Sequence, residues 1–240
     1  MRFQFPPKFL SLRRYTALAA LLVAMGGSGA LAQTPQQTWS LVQAQLALNR
    51  TYVAHEIRSR YEMTGGRRPE SGQYTTMIKD WDTAGEPVRL LKEQTTAEIE
   101  GMKNAVLGLK FGTRIANYPD VLPCTVGGVV LLRTERGEGG SVRVLSTIPD
   151  ASRAEQRCTL TAWVDEQTSR PLRVEAVFTE FPLGINSLNV SITYLTDHHG
   201  RSLPEEVSVS TTFTLLFKSG KAVFQQTLSD WRKRPPRPAP

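Results

Sequence analysis

The sequence predicts a mainly β protein of the α+β class, in which a single strongly curved antiparallel sheet forms an incomplete barrel around one or two helices. Three observations predict it. About ten segments alternate apolar and polar residues with a period of two, the links between most of them are short and rich in Gly, Asp and Ser, and only two segments carry helical spacing.

The elements follow in order. Over residues 35–48, Trp39, Val42 and Leu46, flanked by Leu41, Ala44 and Leu48, recur at helical spacing, so an amphipathic helix opens the domain. The period then changes to two. Val53, His55, Ile57, Ser59 and Tyr61 fall on one side of a strand, Arg58 and Arg60 on the other, and Gly65 with Gly66 stops it. Residues 74–81 and 87–95 read as the next two strands, turned by Thr83, Ala84 and Gly85. Between 97 and 110, Ile99, Met102, Val106 and Leu109 step by three and four, which predicts a second helix weakened by Gly101 and Gly108. The stretch FGTRIANYPDVLP that follows is rich in turn formers and receives no assignment.

From Thr125 onward the pattern is a meander, with strands expected over 126–135, 141–148, 158–164, 171–180, 187–196, 203–216 and 222–229. Two are especially regular: Leu188, Val190, Ile192 and Tyr194 alternate with Asn189, Ser191 and Thr193, and Val207, Val209, Thr211, Phe213 and Leu215 alternate with Ser208, Ser210, Thr212 and Thr214. Strict alternation means one buried and one wet face. Short connections make successive strands antiparallel neighbours.

Residues 1–32 carry Arg2, Lys8, Arg13 and Arg14 with no acid, then an apolar run of 11 residues from Tyr15 to Met25, then small residues ending Ala30, Leu31, Ala32. That is the layout of a cleaved secretory signal, and the run is short of the roughly 20 residues a spanning helix needs. The mature domain is expected over 33–231, in the periplasm, followed by a basic, Pro-rich, mobile tail over 232–240 able to touch an anionic membrane surface.

The net charge of +7 sits at the two ends. Four of the 29 basic residues lie in 1–32 and four in 232–240, which leaves 21 against 22 acidic ones in the body. A body of net charge −1 carries no electrostatic footprint for nucleic acid. The only two cysteines, Cys124 and Cys158, read as a disulfide in an exported chain. Its stabilisation is about 3 to 4 kcal/mol on the chain-entropy model.

A ten-stranded curved sheet has more concave surface than two short helices can cover, so a hollow lined by apolar side chains is expected, the alternative being that the helices and loops seal a dry core. The residues assigned to it are Trp39, Val42 and Leu46 from the first helix and Val174, Phe178, Val190, Ile192, Tyr194, Val209, Phe213 and Leu215 from the strands. The ligand class is an acyl chain or other apolar tail, admitted when the helix at 35–48 moves off the sheet. On that reading, Asp at Ile192 or Phe213 abolishes ligand retention without unfolding the protein.

Three stretches carry a family resemblance: AWVDEQTSRPLRVEA (162–176), LGINSLNVSITYLTDHHGRSLPEEVSV (183–209) and FTLLFKSGKAVFQQTLSDWR (213–232). Together, over about 158–232, they resemble the second half of the LolA-like outer-membrane lipoprotein-sorting proteins. In that group a W-V-D strand passes through a T-x-x-P-L-R turn into its neighbour. Ser169 stands where Gly is common in the turn. The pattern is also similar to the related regulators of envelope stress. The resemblance implies a half-barrel plugged by helices, whose concave face receives the acyl chains of lipoproteins crossing the periplasm. The group's lid arginine finds no matched position among Arg50, Arg58 and Arg60.

No G-x-S-x-G, no H-E-x-x-H and no phosphate-binding Gly loop occurs outside residues 1–32, and no metal or cofactor is expected. His198 and His199 share a hairpin tip, His55 lies on the apolar side of a strand, and Asp165, Glu166, Glu205 and Glu206 sit at strand ends where solvated charge is ordinary. Trp163 faces away from Leu160, Ala162 and Val164, as a packed aromatic on the convex face. The expected function is therefore a carrier or chaperone for acyl chains of lipoproteins or lipids. The alternatives are an envelope regulator or scaffold that binds a protein partner and, less favoured, a secreted hydrolase.

Overall fold

A computed structural model of the chain describes residues 33–65, 70–95, 106–124, 126–137, 140–149, 158–179, 184–215 and 218–235. Residues from Thr34 onward form one compact unit. The expected signal at 1–32 and the first half of the helix expected at 97–110 lie outside the described residues.

Ten strands are present: β1 Tyr52–Thr64, β2 Glu70–Trp81, β3 Pro87–Thr95, β4 Val126–Gly137, β5 Gly140–Pro149, β6 Cys158–Asp165, β7 Pro171–Phe178, β8 Ile185–Thr196, β9 Ser202–Leu215 and β10 Lys218–Lys233. They form one antiparallel sheet in the order β3-β2-β1-β10-β9-β8-β7-β6-β5-β4. β3 and β4 are its edges, unpaired among the described residues, so the barrel is open. Every step along the sheet is a hairpin-type neighbour except β1 beside β10, where Tyr52 stands opposite Lys233 and Thr64 opposite Lys221. That long-range pairing joins the first hairpin group to the meander. Register shifts in β8 against β9, between Ile185 and Ser187 and again between Thr193 and Tyr194, add local twist.

The alternation read from the sequence is the burial pattern of β6 and β8. In β8, Leu188, Val190, Ile192 and Tyr194 are buried while Asn189 is exposed and Ser191 and Thr193 are half-buried. In β6, Cys158, Leu160, Ala162 and Val164 are buried and the residues between them are not. Trp163 points to the convex face, where the Arg173 guanidinium stacks on it at 5.2 Å.

Helix α1 spans Pro35–Leu48, and its start is locally encoded. Pro35 occupies the first turn, Thr34 Oγ1 accepts from the Gln37 amide at 3.2 Å, and the Gln37 side chain accepts from the Thr34 amide at 2.9 Å. Thr38, Trp39, Val42 and Leu46 are buried, Leu41 is half-buried, and Ala44 and Leu48 face solvent. A 3-10 turn, Asn49–Thr51, leads into β1. The buried Asn49 donates from Nδ2 to the Ser202 carbonyl at 2.5 Å, which fastens the end of α1 to the start of β9.

Helix α2 spans Val106–Asn117 and corrects the sequence reading. The stretch left unassigned as turn-rich is helical as far as Asn117, and the reason is packing. A Cβ on Gly112 would lie 1.1 Å from the Gln226 Oε1. The glycine is there because α2 comes down onto β10 at that point, and tertiary contact outweighs its poor helix propensity. α1 packs on β4 and β9, and α2 on β1, β9 and β10.

A further correction concerns the C-terminal end. β10 runs to Lys233, and Arg234 is tied into the fold: its amide donates to the Thr51 carbonyl at 2.6 Å, and its guanidinium reaches Glu86 at 3.0 Å and the Asn117 carbonyl at 2.8 Å. Residues 232–234 therefore belong to the domain rather than to a mobile tail. Arg232 is also engaged, in an ion pair with Asp230, so two of the tail's four cations have internal partners. The disulfide between Cys124 and Cys158 is formed, with Cα atoms 6.2 Å apart.

Candidate ligand-binding site

The concave face carries one continuous apolar cluster. It joins Trp39, Val42 and Leu46 of α1 with Ile115 and Ala116 of α2 and with Val174, Val190, Ile192, Tyr194 and Val209 of the sheet. Phe178 is half-buried and packs edge-on against Phe111, ring centroids 5.9 Å apart. Phe213 is half-buried and lies over Gly220, where a Cβ would meet its ring at 2.5 Å. The side chain of Leu215 lies outside the described residues. The expected pocket residues other than Phe213 and Leu215 are thus brought together, but as packed core: α1 already occupies the place assigned to a ligand.

This overturns one expectation outright. Ile192 is fully buried, so an Asp there puts a carboxylate into the core and unfolds the domain instead of leaving it intact.

Open space occurs at the seam between the helices. A cavity of about 410 Å³ is lined by Gln43, Leu46, Ala47 and Arg50 from the end of α1, by Arg114 of α2, and by Asp120 through Cys124 of the segment after it. Its volume falls within the range of roughly 300 to 1,000 Å³ usual for small-molecule sites. Its floor is Leu46, which also belongs to the buried cluster. Cys124 lies in its wall, so the disulfide to β6 holds that wall in place.

Three charged groups stand around the cavity. Arg50 Nε donates to Asp120 Oδ2 at 2.8 Å, although the Arg50 side chain is 74% exposed. Arg114 is exposed and its guanidinium has no ion-pair partner among the described residues. The sequence reading missed Arg114, Asp120, Val121 and Leu122 because they fall in the stretch it left unassigned.

The two helices are held differently. At the C-terminal end of α2, the Arg89 guanidinium donates to Asn117 Oδ1 at 2.9 Å and to the Ala54 and His55 carbonyls at 2.6 and 3.3 Å, while Arg234 holds the Asn117 carbonyl. Burial lowers the Arg89 pKa to about 10. The Gly112 contact with Gln226 adds a close fit in mid-helix, and Gln226 in turn donates to Ser59 at 3.0 Å. α1 is fastened by single hydrogen bonds near each end, Arg143 to Thr38 Oγ1 at 2.9 Å and Asn49 to Ser202. Its Trp39 Nε1, and the Tyr194 hydroxyl in the sheet, are buried without a hydrogen-bond partner among the described residues, and burial raises the Tyr194 pKa. Polar atoms left in this state cost about 1 to 3 kcal/mol each, which weakens the seat of α1 relative to an all-apolar one.

The other chemistry-bearing residues have structural partners. Asp165 Oδ1 accepts from the Thr168 amide and hydroxyl at 2.7 and 2.6 Å, and Glu166 pairs with Arg143 at 3.1 Å. Asp197 is engaged by Arg201, the His198 and His199 rings lie 3.8 Å apart, and His55 Nδ1 is 3.3 Å from Asp230 Oδ2. Among the described residues no three His, Cys, Asp or Glu side chains are grouped as a metal would require.

No family model and no curated relative matches the sequence. Among solved structures the chain is similar to a LolA superfamily protein from Nitrosomonas europaea, at 14% identity over 85% of this chain and 95% of that one, with a TM-score of 0.39. It is similar to an outer membrane lipoprotein-sorting protein domain from Vibrio parahaemolyticus, at 15% identity over 81% and 92%, TM-score 0.37. It is also similar to a chain of the MucA/MucB complex of Pseudomonas aeruginosa, at 10% identity over 84% and 99%, TM-score 0.24. The open half-barrel architecture itself stands on the strand order and registers given above.

Proposed function

We propose that the mature domain is a periplasmic, non-enzymatic carrier or chaperone that takes an acyl chain of a lipid or lipoprotein at the seam between α1 and α2. The observation that carries the reading is the cavity of about 410 Å³ whose floor, Leu46, is continuous with the apolar concave face. A short chain fits the cavity as it stands. A longer one advances by displacing α1, so that Val42 and Trp39 give up contacts with the sheet and the chain takes their place against Val190, Val209 and Phe213. Exchanging one apolar surface for another leaves the apolar term nearly unchanged, at about 25 cal/mol per Å² on either side. The exchange is therefore reversible, as transfer requires.

The neutral fluorescent probe N-phenyl-1-naphthylamine tests this. The parent protein should bind it one to one, and Ala47→Phe, at an exposed position in the cavity wall, should block it while leaving the core untouched. Equal binding by the parent and Ala47→Phe would remove the seam from the account.

A second reading has its own observation. Val130, Leu131 and Leu132 are exposed on the unpaired edge β4, a surface on which an extended partner segment can add a strand. Crosslinking in cells from a photoreactive residue at Leu132 distinguishes them: one discrete protein adduct would favour a regulatory or scaffold role.

A further inference from the structure

We infer that the seam cavity selects an anionic single-chain amphiphile, a fatty-acid-like carboxylate, whose head group is held by Arg114 while its tail lies on Leu46, Val121 and Leu122. The inference rests on the binding reading above and adds the charge of the ligand to it.

The argument is one of charge complementarity in a confined space. The cavity has an apolar floor and three charged groups, Arg50, Arg114 and Asp120. The single carboxylate is already engaged by Arg50. Arg114 is left as the cation without a carboxylate among the described residues, at a mixed pocket whose apolar lining includes Leu46, Val121 and Leu122. A neutral tail leaves it in that state and a cationic head group adds repulsion, whereas a carboxylate gives it a planar, two-point partner. Arg114 is exposed, so it can meet the head group without either ion being buried, and the desolvation that makes interior ion pairs expensive is avoided. The apolar wall beside it supplies the affinity for the tail. Arg50, paired across the seam with Asp120, sits next to the same head group and can shift toward it without leaving the cavity.

The test is a titration of the mature protein with three probes of one chain length: dodecanoate, dodecanol and dodecyltrimethylammonium. The expected result is binding of dodecanoate about twofold to fivefold tighter than dodecanol, in line with about 0.5 to 1 kcal/mol for an ion pair at an exposed arginine, with the cation weakest. Arg114→Gln should erase the difference between dodecanoate and dodecanol and leave dodecanol affinity as it was. Asp120→Asn, which removes the competing carboxylate, should tighten dodecanoate and not dodecanol. If all three probes bind alike, the charge selection is overturned and the binding reading stands. If none binds, the seam is not a ligand site and both fall. A preference for dodecanoate that persists in Arg114→Gln would overturn the assignment of the head group.

Discussion

Arg50 and Asp120 meet across the seam, Nε to Oδ2 at 2.8 Å, and join the turn that follows α1 to the segment that follows α2. The pair spans the mouth of the cavity and is the ion pair between the two helical segments among the described residues. Its strong exposure on the arginine side makes it a weak tie, of about 0 to 1 kcal/mol. Asp120→Ala should thus leave the melting midpoint nearly unchanged while raising the rate at which a neutral probe enters, as read by stopped-flow fluorescence. A large loss of stability with no change in entry rate would show that the pair is structural and not a latch.

The disulfide bears on the same wall. Cys124 lines the cavity and its bridge to Cys158 closes a separation of 34 residues. Replacing both by Ser should cost about 2 to 5 kcal/mol in denaturant unfolding and weaken probe binding even where the domain remains folded. Unaltered binding by the folded double variant would mean that the wall is held by something else.

Gly112 is predicted to be irreplaceable. Ala adds about 1 kcal/mol of helix propensity, but its Cβ would fall on Gln226, which is almost fully buried and bonded to Ser59, and overpacking of that kind costs about 1 to 3 kcal/mol. Gly112→Ala should be destabilising, and Gln226→Ala in the same chain should recover part of the loss. Additive losses in the double-mutant cycle would contradict the contact.

Asp197 gives the pH dependence. Partial burial works to raise its pKa, but hydrogen bonds from the Arg201 side chain and amide and from the His199 amide prevail and lower it from 3.8 to about 2. A carboxylate depressed in the folded state stabilises above its unfolded pKa, and that contribution disappears as the pH falls through the folded one. Asp197→Asn should be less stable than the parent at neutral pH, and the gap should close between about pH 4 and pH 2. A gap that stays constant down to pH 2 would show that the carboxylate's charge plays no part in the turn.

The sheet was legible because its signal is local and repeated. β6, the inner part of β8 and residues 224–228 of β10 show their buried face as alternation, and Pro87 to Thr95 fell where the pattern and the turn at Gly85 put it. Ser169 was marked as standing where Gly is common, and it adopts a left-handed φ of 56° in the turn between β6 and β7. The pairing of β1 with β10 left no trace in either strand, since nothing local distinguishes an edge from an inner neighbour. α2 was misplaced because the stretch from Phe111 was set aside for its turn formers, whereas the role of the glycine in it, Gly112, depends on Gln226, more than a hundred residues away. The cavity escaped notice for the same reason: its walls come from the end of α1 and from a stretch without periodicity, and they meet only in the folded chain. The expected pocket residues were found by the right pattern, but pattern alone does not say whether a helix of the same chain already covers them.

The central claim is that an apolar chain enters between α1 and α2, and photolabelling with a diazirine-bearing dodecanol, mapped by mass spectrometry of peptides, tests it most directly. The account predicts adducts on Leu46, Ala47 and the 121–122 segment, lost in Ala47→Phe. Adducts concentrated on Val130 to Leu132 of the edge strand, with none at the seam, would contradict it.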